Sequence, residues 1–162
     1  MFKYILVASV ALLMVCPSIA SAKTLTLKKA QVEVTPPAEW KKESLKNEDL
    51  RFTAPDKLVV INLILLDKSD VKLAIKATLE KVKKNFTDFS VKEPKDLKIN
   101  GMKAVFVVAK GKKNNIDLGL GMMLVETPSK KVLLIQTVIP KNVAKQHKAT
   151  TETFIKSIKP IK

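Results

Sequence analysis

The chain has 162 residues, a formal charge of +15, one histidine and one cysteine. A single cysteine leaves no material for a disulfide framework or a cysteine zinc site, and a lone histidine cannot supply the common histidine sets. The positive excess selects anionic partners, but Arg51 is the single arginine. Lysine lacks the planar fork that reads phosphates and base edges, which sets specific nucleic-acid recognition aside.

Lys3, the apolar residues 4–15 and the Ala20, Ser21, Ala22 site form a secretory signal pattern, expected to be cleaved near Ala22. The run is shorter than the roughly 20 residues of a bilayer span, and Pro17 follows it. Val15 is bulky where a lipidation site carries a small residue, so Cys16 is expected to leave with the signal. Residues 23–162 remain, a length suited to one domain that buries roughly two-thirds of its unfolded surface. The signal removes one of the 30 basic residues and none of the 15 acidic ones, leaving a net charge of +14.

Alternation of Leu25, Leu27, Ala30, Val32 and Val34 with polar residues predicts one half-buried strand over residues 24–34, stopped by Pro36 and Pro37. Short strands follow over residues 40–45 and 50–54, the second ended by Pro55 and Asp56. Residues 58–66 are apolar except at Asn62, the mark of a strand covered on both faces. Ser69 is positioned to cap a helix, with Asp70 at its positive end and Val71, Ile75, Leu79, Val82 and Phe86 on one face. A short strand over residues 89–91 and a charged connection over residues 93–98, interrupted by Pro94, lead to a tight turn at Asn100 and Gly101.

Three apolar runs, residues 102–109, 116–125 and 132–139, are separated by two short gaps at residues 111–115 and 127–131. Gaps this short join only antiparallel neighbours, which predicts a three-stranded meander. Pro140 ends it, Asn142 is positioned as a helix cap, and Ala144, His147, Thr151, Phe154, Ile155 and Ile158 form an inward stripe closed by Pro160. Two amphipathic helices and strands apolar on both faces predict an α+β fold. The simplest arrangement is a single-domain antiparallel β-sheet flanked by helices on both faces.

Little of this carries reaction chemistry. His147 would have to activate one of Ser44, Ser69, Ser90, Ser129 or Ser157, and none sits in a G-x-S-x-G elbow. Gly119 and Gly121 form a G-x-G inside a strand without the third glycine of a dinucleotide fingerprint. No enzyme, metal or cofactor is expected. The two glycines instead leave a bare strip of backbone, for close packing of a helix, for a bulge, or as a groove for a ligand or partner segment. Lysine pairs recur along the chain, and Lys112, Lys113, Lys130 and Lys131 in the two meander turns are candidate anion contacts. Turns at opposite ends of a sheet cannot form one patch, so solvated turns and guarded edges are the plainer reading. Trp40, behind Pro36 and Pro37, is expected to anchor the core.

Val34, Thr35, Pro36, Pro37, Ala38, Glu39 and Trp40, the Ile99, Asn100, Gly101 turn before an apolar strand, and Phe154 to Lys159 near the end resemble the PsbP-like fold family, which includes exported bacterial proteins of the PsbP and DcrB type. The resemblance implies an α/β/α sandwich and a non-catalytic accessory or binding role, and it supplies no ligand motif. The expectation is an exported, periplasmic or secreted module acting through contacts with an envelope protein. The alternative is a cationic module that adsorbs to anionic envelope polymer or lipid headgroups.

Overall fold

The computed structural model describes residues 22–67 and 70–161. Residues 1–21, which carry the expected signal pattern and Cys16, and Ser69 lie outside the described residues. In chain order the elements are β1 (Leu25–Leu27), β2 (Val32–Val34), β3 (Lys41–Ser44), β4 (Leu50–Thr53), β5 (Val60–Leu66) and α1 (Val71–Lys83). Then come β6 (Thr87–Val91), β7 (Lys95–Ile99), β8 (Met102–Lys113), β9 (Ile116–Glu126), β10 (Val132–Pro140), α2 (Ala144–Lys156) and β11 (Lys159–Pro160). The large sheet has the order β3-β4-β5-β10-β9-β8-β6, with β7 paired to the other half of β8, and β1, β2 and β11 form a small sheet.

The meander is present as β8, β9 and β10, and β5 joins it antiparallel along β10. The first gap is shorter than the apolar pattern suggested. Lys112 pairs with Asp117 and Lys113 with Ile116, so only Asn114 and Asn115 turn, both at positive φ (50° and 62°). Asn100 and Gly101, at φ 46° and 85°, make the same kind of two-residue turn between β7 and β8. Asparagine and glycine tolerate the left-handed backbone that such hairpins need.

Several expectations are corrected. Residues 24–34 are not one strand: a 3₁₀ turn at Lys28–Ala30 and Gln31 at φ 53° fold the segment back, so β1 pairs with β2. The charged connection before Asn100 is a strand, because β7 pairs with β8 from Lys95 to Ile99 despite its polar composition. Asp70 caps α1, its carboxylate accepting from the Lys72 and Leu73 amides at 2.8 and 3.2 Å. Asn142 does not cap α2. It lies in a 3₁₀ turn, Lys141–Val143, that runs directly into the helix and starts it without a side-chain cap. Pro160 does not close α2 either. The helix ends at Lys156, and Pro160 pairs with Val32 in the small sheet.

Alternate residues of the long strands enter two separate cores. One contains Leu133, Ile135, Met123 and Val125 with Phe154 and Ile158 of the α2 segment and Val32 and Val34 of the small sheet. The other contains Val132, Leu134, Met122 and Leu124 with Ala74 and Val82 of α1. On α1 the buried line is Ala74, Thr78 and Val82, while Val71, Ile75 and Leu79 are half-buried beside it. Small side chains at the contact line bring the helix close to the sheet.

Phe154 is fully buried, with its ring edge-on to Phe52 at 5.1 Å and stacked on Trp40 at 6.2 Å. Trp40 is thus a core anchor, as its size suggested. The turn before β8 is tied to the end of α2 by Asn100, whose amide donates to the carbonyls of Lys156 (2.8 Å) and Ile158 (2.6 Å). Asn62, the polar residue in an apolar strand, is satisfied by register: Arg51 Nε donates to it at 3.0 Å and it donates to Gln136 at 3.2 Å. Phe154→Ala removes the centre of the first core and is expected to cost about 3–5 kcal/mol, read as a lower midpoint in urea denaturation followed by circular dichroism.

Candidate functional site

Gly119 and Gly121 lie on the face of β9 that also carries Met123 and Val125. Further along the strand those two side chains fill the first core, but at the glycines there is nothing to fill it. Gly119 stands between Lys110 of β8 and Ile139 of β10, and Gly121 between Val108 and Thr137. The result is an open groove of about 260 Å³ whose floor is this stretch of sheet with Phe106. Its wall is α2, through Ala144, Lys148, Thr151, Glu152 and Ile155. These helix positions follow steps of three and four, the same periodicity that buries Phe154 one residue away.

Helix packing does not require either glycine. A Cβ on Gly119 would meet Ile139 at 3.6 Å, and one on Gly121 would meet Phe106 at 3.5 Å and Thr137 at 3.8 Å, all ordinary contacts from the sheet and none from α2. Gly111 is the contrasting case, because its Cβ would come within 2.9 Å of Phe86. Two polar features mark the groove wall. Thr151 Oγ1 is buried without a hydrogen-bond partner, and Lys148 reaches Glu152 at 3.8 Å. A buried hydroxyl left unpaired is costly and open to a bound group.

The four turn lysines are not brought together. Lys112 and Lys113 lie at one end of β9 and Lys130 and Lys131 at the other, roughly 30 Å apart for a strand of this length. Lys112 reaches Asp88 at 3.1 Å, and this carboxylate raises the ammonium above the ordinary lysine range. Lys131 donates to Asp67 at 2.9 Å and holds that carboxyl below its usual range, first through the hydrogen bond and then through its charge. One lysine of each turn is therefore already paired.

His147 has a neighbour that sequence reasoning missed. Its Nε2 lies 2.7 Å from Asp56 Oδ2, although the angle falls short of a hydrogen bond. Asp56 belongs to the turn after β4, and no local pattern links it to α2. Among the described residues no group of three or more His, Cys, Asp or Glu side chains could hold a metal ion.

The sequence matches no family model and no curated protein. Solved structures do share its architecture. The cyanobacterial PsbP protein (CyanoP) of Synechocystis is 14% identical, with a TM-score of 0.61 over 90% of this chain and 97% of that one. The chain has the PsbP-like fold. LpqN of Mycobacterium tuberculosis, described as involved in cell envelope biogenesis, is also 14% identical, with a TM-score of 0.63 over 86% of this chain and 90% of its own. The Saccharomyces cerevisiae Ran-binding protein Mog1p is 13% identical, with a TM-score of 0.58 over 88% of this chain and 96% of its own. Among the described residues of this PsbP-like chain, no helix is long and apolar enough to cross a membrane.

The Asp67 pair has a measurable consequence. A carboxyl depressed in the folded state contributes stability that is present above its unfolded value and lost as pH falls through the folded one. In an NMR titration, Asp67 is expected to reach its midpoint below the ordinary carboxylate range, and Lys131→Ala to return it toward that range.

Proposed function

We propose that this PsbP-like protein is an exported accessory module of the cell envelope, without catalysis of its own, that holds a protein partner in the groove between α2 and the sheet. The domain is residues 23–162 after loss of the signal, layered as an α/β/α sandwich with α1 against one face of the large sheet and α2 with the small sheet against the other. The groove carries the reading. It is lined by Phe106, Val108, Ile139 and Ile155, and a Cβ at either floor glycine would meet only ordinary contacts. An apolar trough beside a helix suits an extended or helical segment that buries alternate or i, i+4 side chains. The signal pattern at residues 1–22 supports export, and the likeness to LpqN, a protein described as acting in cell envelope biogenesis, supports the envelope as its setting.

The test separates the groove from the fold. Gly119→Val with Gly121→Val is expected to remain folded by circular dichroism, because each Cβ meets only ordinary contacts and β-branched residues suit strands. A photo-crosslinking residue at Lys148, exposed on the groove wall, is expected to yield one discrete adduct with an envelope protein in the native cell, and the glycine variants to abolish it. A folded double variant that crosslinks as well as the parent would remove the groove from consideration.

A further inference from the structure

The solvent face of α1 is a charged feature that the groove does not use. At 3.6 residues per turn, Lys72, Lys76 and Lys83 form one row and Leu73, Glu80 and Lys84 the next, opposite the buried Ala74, Thr78 and Val82. All six outward residues are exposed, and Leu73, at 60%, is the most exposed of the large apolar side chains among the described residues. None of the four lysines joins an ion pair among the described residues. Glu80 is the one acid on this arc, since the Asp70 carboxylate is taken up by the helix cap. Beside the start of the helix, Asp96 and Glu126 share a cleft with Lys98 and Lys103, so the neighbouring strands add no negative excess.

We propose that this face of α1 docks flat on an anionic phospholipid bilayer, with Lys72, Lys76, Lys83 and Lys84 against headgroup phosphates and Leu73 entering the interface. Charge complementarity selects the surface. Attraction to an anionic leaflet acts through lysines held within a Debye length of it, about 8 Å at physiological salt, so the lysines of one helix face act together where those of distant turns cannot. Lysine suits the task because a mobile point charge needs no fixed phosphate geometry. Leu73 decides between a bilayer and a soluble polyanion: an apolar side chain amid lysines gains from a headgroup region and not from a hydrated polymer. The apolar stripe of α1 is committed to the sheet, so the helix lies on the surface without inserting.

The experiment is co-sedimentation of the purified protein with phosphatidylglycerol/phosphatidylcholine vesicles, with pure phosphatidylcholine vesicles for comparison and circular dichroism to verify each fold. Binding is expected on the anionic vesicles alone. The variant Lys72→Gln, Lys76→Gln, Lys83→Gln, Lys84→Gln should lower affinity at least about tenfold, whereas the equal-charge variant Lys112→Gln, Lys113→Gln, Lys130→Gln, Lys131→Gln changes it less than about threefold. Leu73→Ser should weaken vesicle binding by about threefold or more. Equal losses in the two charge variants would overturn the proposal by reducing it to net charge. Full binding by Leu73→Ser, or equally tight binding to soluble polyphosphate, would also overturn it in favour of a polyanion. The Gly119→Val, Gly121→Val protein is expected to bind vesicles like the parent, which keeps this surface separate from the groove.

Discussion

Strands apolar on both faces set the terms for the whole molecule. Val132 and Leu134 point one way from β10 and Leu133 and Ile135 the other, and all four are buried. Each such side chain stabilises the fold by roughly 1.5–3 kcal/mol when it leaves water, so a sheet covered on one side alone would forfeit half of that gain. α1 lies against one core, and Phe154 with the small sheet lies in the other. Asn100 then ties the end of α2 to the turn that opens β8, which links cover and sheet through two carbonyls.

The same constraint explains why a groove exists. Two layers enclose space, and side chains must fill it or leave it open. Along one face of β9 the filling is Met123 and Val125, then the backbone alone at Gly121 and Gly119, and the gap opens beneath Thr151 and Ile155 of α2. The groove is thus a local omission within a well-packed interface. The outer face of α1 arises differently. It is what remains of an amphipathic helix after the sheet has taken its apolar stripe, and its charge is unbalanced because acids are scarce through the chain.

Buried polarity is handled by register. Arg51, Asn62 and Gln136 lie directly opposite one another on β4, β5 and β10 and hydrogen-bond in a row. A slip of one residue would send Asn62 to the opposite face, leaving its amide without these partners. The row therefore helps hold the register that the glycine strip and both cores also need.

Local signals determined a good deal by themselves. Apolar periodicity marked the meander and both helices, the Asn100 and Gly101 pair marked a hairpin, and the spacing of Gly119 and Gly121 marked a bare strip, because each rests on neighbours within a few residues. Long-range pairing stayed out of reach. β7 reads as a charged loop until β8 lends it a partner, Gln31 reverses a segment whose alternation predicts one strand, and Pro160 becomes a strand residue through Val32. What the bare strip faces, which lysines of the turns are already paired, and the meeting of His147 with Asp56 were decided by tertiary structure alone. Such contacts depend on which distant surfaces meet, and no local periodicity encodes that.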